Sequence, residues 1–142
     1  MKKYILLYTV IIAWFSVQVF KFLADAIIHR KFNFKRLVET GGMPSSHSAV
    51  VTSLMTLIAL NYGIDSPYFV ISFVFGIIVM YDAAGVRRAA GKQAGILNQL
   101  IYSNQVQVDT NEKLKELLGH TPFEVLVGAI WGIALAFLLN NF

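Results

Sequence analysis

The chain has 142 residues, of which 56 % are hydrophobic and 14 % charged, with a formal net charge of +4 and a mean hydropathy of +0.61. A soluble domain carries nearer a quarter charged residues, and a chain of this size has too little interior to hide several long uncharged segments. Cysteine is absent, which excludes disulfides and thiolate nucleophiles. The three histidines lack the spacing of a metal site, and the basic residues flank apolar runs rather than form a nucleic-acid surface. A single domain over residues 1–142 is expected, with no cofactor, no metal and no nucleic-acid partner.

Residues 4–20 hold no ionisable group apart from tyrosine hydroxyls, and they predict a first membrane helix over 4–22. Lys2 and Lys3 would suit a signal peptide, but no small-x-small cleavage site follows around Trp14-Phe15 or Phe20-Lys21-Phe22. Residues 23–45 read as a connection. In it, Lys31, Phe32, Phe34, Lys35 and Arg36 form an interfacial amphipathic piece, and His29 is solvated or faces headgroups. A second span is predicted over 46–61, closed by the breakers Asn61-Tyr62-Gly63, and a third over 66–82. Residues 94–102 are apolar but too few to cross, so they are read as re-entrant or interfacial, and 109–116 as a wetted surface helix of alternating charge. A fourth span covers 122–140, where Gly128 and Gly132 offer a small-xxx-small packing surface to a helix of this chain or another. The expected fold is all-α, a polytopic membrane helical bundle with about four transmembrane helices plus interfacial helices.

Four spans place 23–45, 82–121 and the starts of the second and fourth helices on one side of the membrane. Of the 12 basic residues, Lys2 and Lys3 fall on the other side and ten fall here. The positive-inside rule makes this face cytoplasmic in a multi-pass protein of the cell membrane. Three polar clusters, scattered along the sequence, thereby meet at one interface.

In the first cluster, Gly41-Gly42-Met43-Pro44-Ser45-Ser46-His47 reads as a helix start with Pro44 in the first turn. Ser45 or Ser46 caps it, and Gly42 lets the backbone approach an anion held by the free amides. In the second, His120-Thr121-Pro122-Phe123-Glu124 opens another helix, with His120 and Glu124 four apart on one face. A carboxylate beside an imidazole fixes its tautomer and raises its basicity. The third, Asp82-Ala83-Ala84-Gly85-Val86-Arg87-Arg88, ends the third span. One arginine is expected at the site, and the other at Asp82 or a lipid phosphate. Arg88 and Lys92, four apart, are able to clamp one anion.

These residues fit cleavage of a phosphate ester. His120 serves as nucleophile oriented by Glu124, and His47 as the acid that protonates the leaving alcohol and then activates water. Arg87, Arg88 and Lys92, with Ser45 and Ser46, bind the phosphoryl oxygens, while Asp82 and Gly42 support them. An interfacial site favours a lipid phosphate; undecaprenyl pyrophosphate, phosphatidylglycerophosphate and phosphatidic acid all present one.

The motifs resemble those of the type-2 phosphatidic acid phosphatase superfamily. More narrowly, the chain resembles its short divergent bacterial branch of acid phosphatase/vanadium-dependent haloperoxidase-related membrane proteins. Pro44-Ser45-Ser46-His47 stands for the superfamily's Pro-Ser-Gly-His, and His120-Thr121-Pro122-Phe123-Glu124 for its His-x-x-x-Asp. The resemblance implies His47 as general acid, His120 as nucleophile and Glu124 in the Asp role. It departs in two places: Lys113-Leu114 stands where the superfamily has Ser-Arg, and Lys35-Arg36 is followed by Leu37, not Pro. Larger members commonly have six helices, which leaves a homodimer as one way to complete the site. The competing expectation is a non-catalytic protein that binds or transports polyprenyl- or glycerolipid-phosphates.

Overall fold

The computed structural model describes residues 5–30, 32–34, 42–102, 114 and 119–141. The order is α1 (Ile5–His29), α2 (Ser46–Tyr62), α3 (Pro67–Ala84), α4 (Val86–Tyr102) and α5 (Pro122–Asn140). The bundle is apolar outside, and small apolar residues share its interior with many polar ones. Leu7, Ile11, Phe15, Ile71, Phe75, Ile78, Leu126, Ile130 and Phe137 are exposed, whereas Thr9, Gln18, Lys21, Ser45, Ser48, Thr52, Ser53 and His120 are buried. Water would not tolerate such a surface; a bilayer requires it, because backbone groups are satisfied inside each helix and polar side chains turn inward.

The helix lengths follow. Ile5–His29, a continuous stretch from α3 into α4 (Pro67–Ile101), and Pro122–Asn140 are each long and apolar enough to cross a membrane. α2, with 17 residues, spans about 25 Å and is rich in Ser and Thr. It occupies the centre, packed on α1, α3 and α5, so its hydroxyls meet helices rather than lipid. The chain is thus a polytopic all-α membrane protein with about three to four apolar helices of spanning length.

α2 and α5 run parallel and touch through their backbones. A Cβ on Gly128 would collide with the Ser45 backbone, and one on Gly132 with the Ala49 carbonyl and the Thr52 hydroxyl. The small-xxx-small surface is therefore filled by a helix of the same chain. The Thr52 hydroxyl, 2.7 Å from the Ser48 carbonyl and 3.1 Å from that of Ala129, satisfies itself in the seam. α1 is held by Trp131, whose Nε1–H donates to Ser16 Oγ at 3.0 Å and whose ring lies 5.2 Å from that of Phe20.

Three boundaries differ from the sequence reading. α1 continues beyond residue 22 to His29, and Arg30 ends it at a left-handed φ of 51°. Lys21 and Asp25 interrupt the apolar run, yet the helix continues through both, with Lys21 on its buried face. Phe32 and Phe34 fold back onto Phe22, at centroid distances of 6.1 and 5.4 Å. The apolar piece at 94–102 is the second half of a 17-residue helix beginning at Val86, whose small face (Gly91, Ala94, Asn98) is buried. Pro44 lies outside α2 and before its cap. Lys31, Lys35, Arg36 and Gly41 lie outside the described residues, as do 109–116 except Leu114.

Candidate functional site

Because α2 and α5 are parallel, both begin at the same end. Ser45 caps α2: its hydroxyl accepts from the Ser48 amide at 3.3 Å and from the Ser48 hydroxyl at 3.0 Å. The Ser45 amide donates to the Glu124 carbonyl at 3.1 Å, which locks the start of α2 to the first turn of α5. Thr121 caps α5 by accepting from the Glu124 amide at 3.2 Å, and Pro122 takes the first helical position, where no N–H is needed. With Ser45 and Ser48 occupied, the amides of Ser46 and His47 are the two at the start of α2 that lack an intrahelical partner.

The corner between α3 and α4 closes over these helix starts. Gly85 breaks the two helices, its amide returning to the Tyr81 carbonyl at 2.8 Å. Gly119, at φ +83°, presses its Cα against the backbone of Arg87 and Arg88, where a Cβ would collide with main-chain atoms. The next residue, His120, donates its amide to the Ala83 carbonyl at 2.8 Å. One glycine contact and one hydrogen bond thus carry His120 to the arginine corner. A second clasp lies further along α4, where the Asn98 side chain donates to the Leu114 carbonyl at 2.8 Å and accepts from its amide at 3.0 Å.

The result is an imidazole pair. The rings of His47 and His120 lie 6.0 Å apart, inclined at 65°. His120 is 2 % exposed, and its Nδ1 lies 2.9 Å from Glu124 Oε2. That contact commits Nδ1–H to the carboxylate and leaves Nε2 with its lone pair. His47 Nδ1 is buried with no hydrogen-bond partner among the described residues. Rings this close can address one ligand lying against both of them.

The remaining sequence candidates divide. Asp82 Oδ2 accepts from Arg87 Nε at 2.7 Å with both side chains part-exposed, so Arg87 is the arginine that meets Asp82. Arg88 and Lys92 are exposed on α4, and neither bonds to the imidazoles, Ser45 or Glu124 among the described residues. Ser46 is buried in the first turn of α2. Gly42 is exposed at φ +75°, and a Cβ there would meet nothing within 4 Å. Its glycine is needed for the left-handed backbone, not for close approach. Sequence reasoning passed over Lys21, a buried residue of α1.

A multi-pass membrane bundle with two histidine-bearing helix starts at one interface defines the class. The family model described as the Divergent PAP2 family matches residues 2–135, and the chain belongs to that family. It is also similar to the "Uncharacterized membrane protein YuiD" of Bacillus subtilis (strain 168), with 43 % identity over 137 residues, 88 % of this chain and 87 % of the relative. No solved structure matches.

Proposed function

We propose that the protein is a lipid-phosphate phosphatase working through a phosphohistidine at the cytoplasmic membrane interface. The observation that carries this reading is the imidazole pair at 6.0 Å, one member oriented by a carboxylate at 2.9 Å. Membership of the family supports the substrate class, and the apolar exterior beside the site supports a substrate whose chain remains in lipid.

His120 Nε2 attacks phosphorus, and the P–N bond forms as the P–O bond to the alcohol breaks. The leaving oxygen takes a proton from the His47 imidazolium. The neutral His47 then accepts a proton from water, whose oxygen displaces His120 and releases inorganic phosphate. One water is consumed, and both histidines return to their starting states. Glu124 stabilises the cation that forms on His120 during attack. Arg87 and the amides of Ser46 and His47 oppose the charge on the equatorial oxygens. Arg88 and Lys92, exposed beside the site, draw anionic headgroups to it.

Purified protein assayed on a panel of lipid phosphates, with orthovanadate as inhibitor, tests the reading. His120→Ala is expected to lower phosphate release by about a thousandfold or more, and His47→Ala to slow it severely. Full turnover by His120→Ala would remove the nucleophile assignment. Vanadate binding without turnover by the wild type would return the chain to the non-catalytic lipid-phosphate binder.

A further inference from the structure

Three helices cover the central α2, and each takes a different side of it. α5 lies against Ser45, Ala49 and Thr52, the residues that a Cβ on Gly128 or Gly132 would strike. α3 lies against Val51 and Met55, which stand 3.9 and 4.0 Å from where a Cβ on Gly76 would be. The other buried positions, Ser46, Ser53 and Leu57, share the side left for α1. A fourth side remains. Over residues 46–54 the side chains that are not buried are His47, Val50 and Leu54. With Ile58, also half-buried, they recur every three or four residues and form one stripe along the helix. Among the described residues, α1 and α3 make no contact with each other across this stripe, and α4 packs on α3 alone of the helices.

The stripe is thus the floor of a groove open to lipid, with α1 and α3 on either side. His47 stands at its head, and Val50, Leu54 and Ile58 below it are apolar. From His47 to Ile58 the helix rises about 16 Å, half of a hydrocarbon core roughly 30 Å thick. That is the depth of one leaflet. We infer that this groove receives the hydrocarbon chain of the phosphate-bearing lipid, which enters sideways between α1 and α3 with its phosphate against His47. The inference rests on the phosphate site proposed above, though not on turnover. A chain gains little by leaving lipid for an apolar wall, so the groove admits and orients the ligand rather than tightening it. Continuity with His47 selects this face. The outer faces of α3 and α5 around Ile71, Phe75, Leu126 and Ile130 are more exposed but carry neither imidazole.

Wild-type protein in phosphatidylcholine nanodiscs is photolabelled with a phosphatidic acid that carries a diazirine partway along one acyl chain. The label is expected on α2 between Val50 and Ile58. Excess unlabelled phosphatidic acid should displace it, and diacylglycerol, which lacks the phosphate, should not. Labelling spread over α1, α3 and α5, or indifferent to phosphatidic acid, would overturn the inference. The chain has no cysteine, so Leu54→Cys supplies a single thiol. Its quantitative oxidation to a disulfide-linked dimer in the membrane would also overturn the inference, giving the groove to a second copy. In turnover, Leu54→Trp is expected to raise KM for a long-chain phosphatidic acid at least about tenfold, with hydrolysis of soluble phenyl phosphate near wild type. Ile71→Trp, on the exposed face of α3, is expected to change neither. If Leu54→Trp does not fold, the labelling of the wild type decides. Displaceable labelling of α2 without phosphate release from any substrate would keep the inference and refute the phosphatase. Turnover with KM unchanged in Leu54→Trp would do the reverse.

Discussion

The two ends of the α2–α5 pair share the same helices and the same close packing, yet differ in chemistry. At one end Ser45 and Thr121 cap the helices, His47 and His120 face each other at 6.0 Å, and the α3–α4 corner closes over them. At the other end Asn61 donates to the Asn140 side chain at 3.1 Å in an exposed contact, and Gly63, at φ 83°, turns the chain toward α3. The polarity of the pair accounts for the difference. Helix starts present unpaired amides and the positive end of the dipole, and helix ends present carbonyls. Two parallel helices bring two positive ends to one place; an antiparallel pair would bring one. The helix dipoles therefore favour an anion at the histidine end of this pair.

The sharpest way to break this asymmetry is to disturb the orientation of His120 while leaving its ring in place. Glu124→Gln retains the shape of the partner that lies 2.9 Å from Nδ1 but removes its charge. Phosphate release is expected to fall by roughly a hundred- to ten-thousand-fold, with the melting temperature nearly unchanged. Wild-type turnover in this variant would show that the carboxylate only caps its helix.

Gly132→Leu attacks what both ends share. Its side chain would need the space of the Ala49 carbonyl and Thr52 hydroxyl, and overpacking of this kind costs about 1–3 kcal/mol. Melting temperature and turnover should fall together. A variant that melts like the wild type would mean that α2 and α5 separate without cost.

How much of this was visible in the sequence varies with the side chains concerned. Four of the helices were legible because uncharged runs are long and end in Ser, Pro, Gly or His, and their polar ends carry the candidate residues that the fold brings together. Lys21 was passed over because a lysine beside Phe20 and Phe22 reads as the flank of a span. The available signal was the four-residue spacing of Thr9, Ala13, Val17 and Lys21 among larger apolar neighbours, which marks a helix-facing stripe. α4 was half-hidden for another reason. Gly85, Gly91 and Gly95 look like breakers, but Gly91 is buried in a helix face, where the lack of a side chain serves packing. The clasp of Gly119 on the Arg87–Arg88 backbone was not legible, since it joins segments far apart in the chain by main-chain contact.

A smaller effect belongs to the α3–α4 corner. The Asp82–Arg87 pair is short at 2.7 Å, but its side chains are 38 % and 48 % exposed, so its net strength is modest and salt-screened. Asp82→Asn is expected to lower kcat/KM by about two- to fivefold, through a less firmly held Arg87, with the difference narrowing as salt is raised. A salt-independent loss would assign Asp82 to the chemistry itself.

The smallest effect is expected at the far end. Asn61→Ala removes the amide contact to Asn140 and the bond to the Leu57 carbonyl at 2.8 Å, both near the surface. Water and headgroups can replace exposed hydrogen bonds, so stability should change by no more than about 1 kcal/mol and turnover not at all. This variant decides whether the two ends are independent. If loosening the Asn61–Asn140 contact slows phosphate release while the melting temperature holds, the parallel pair transmits strain along its length. The histidine end would then depend on where the asparagine end is tied, rather than on its own caps.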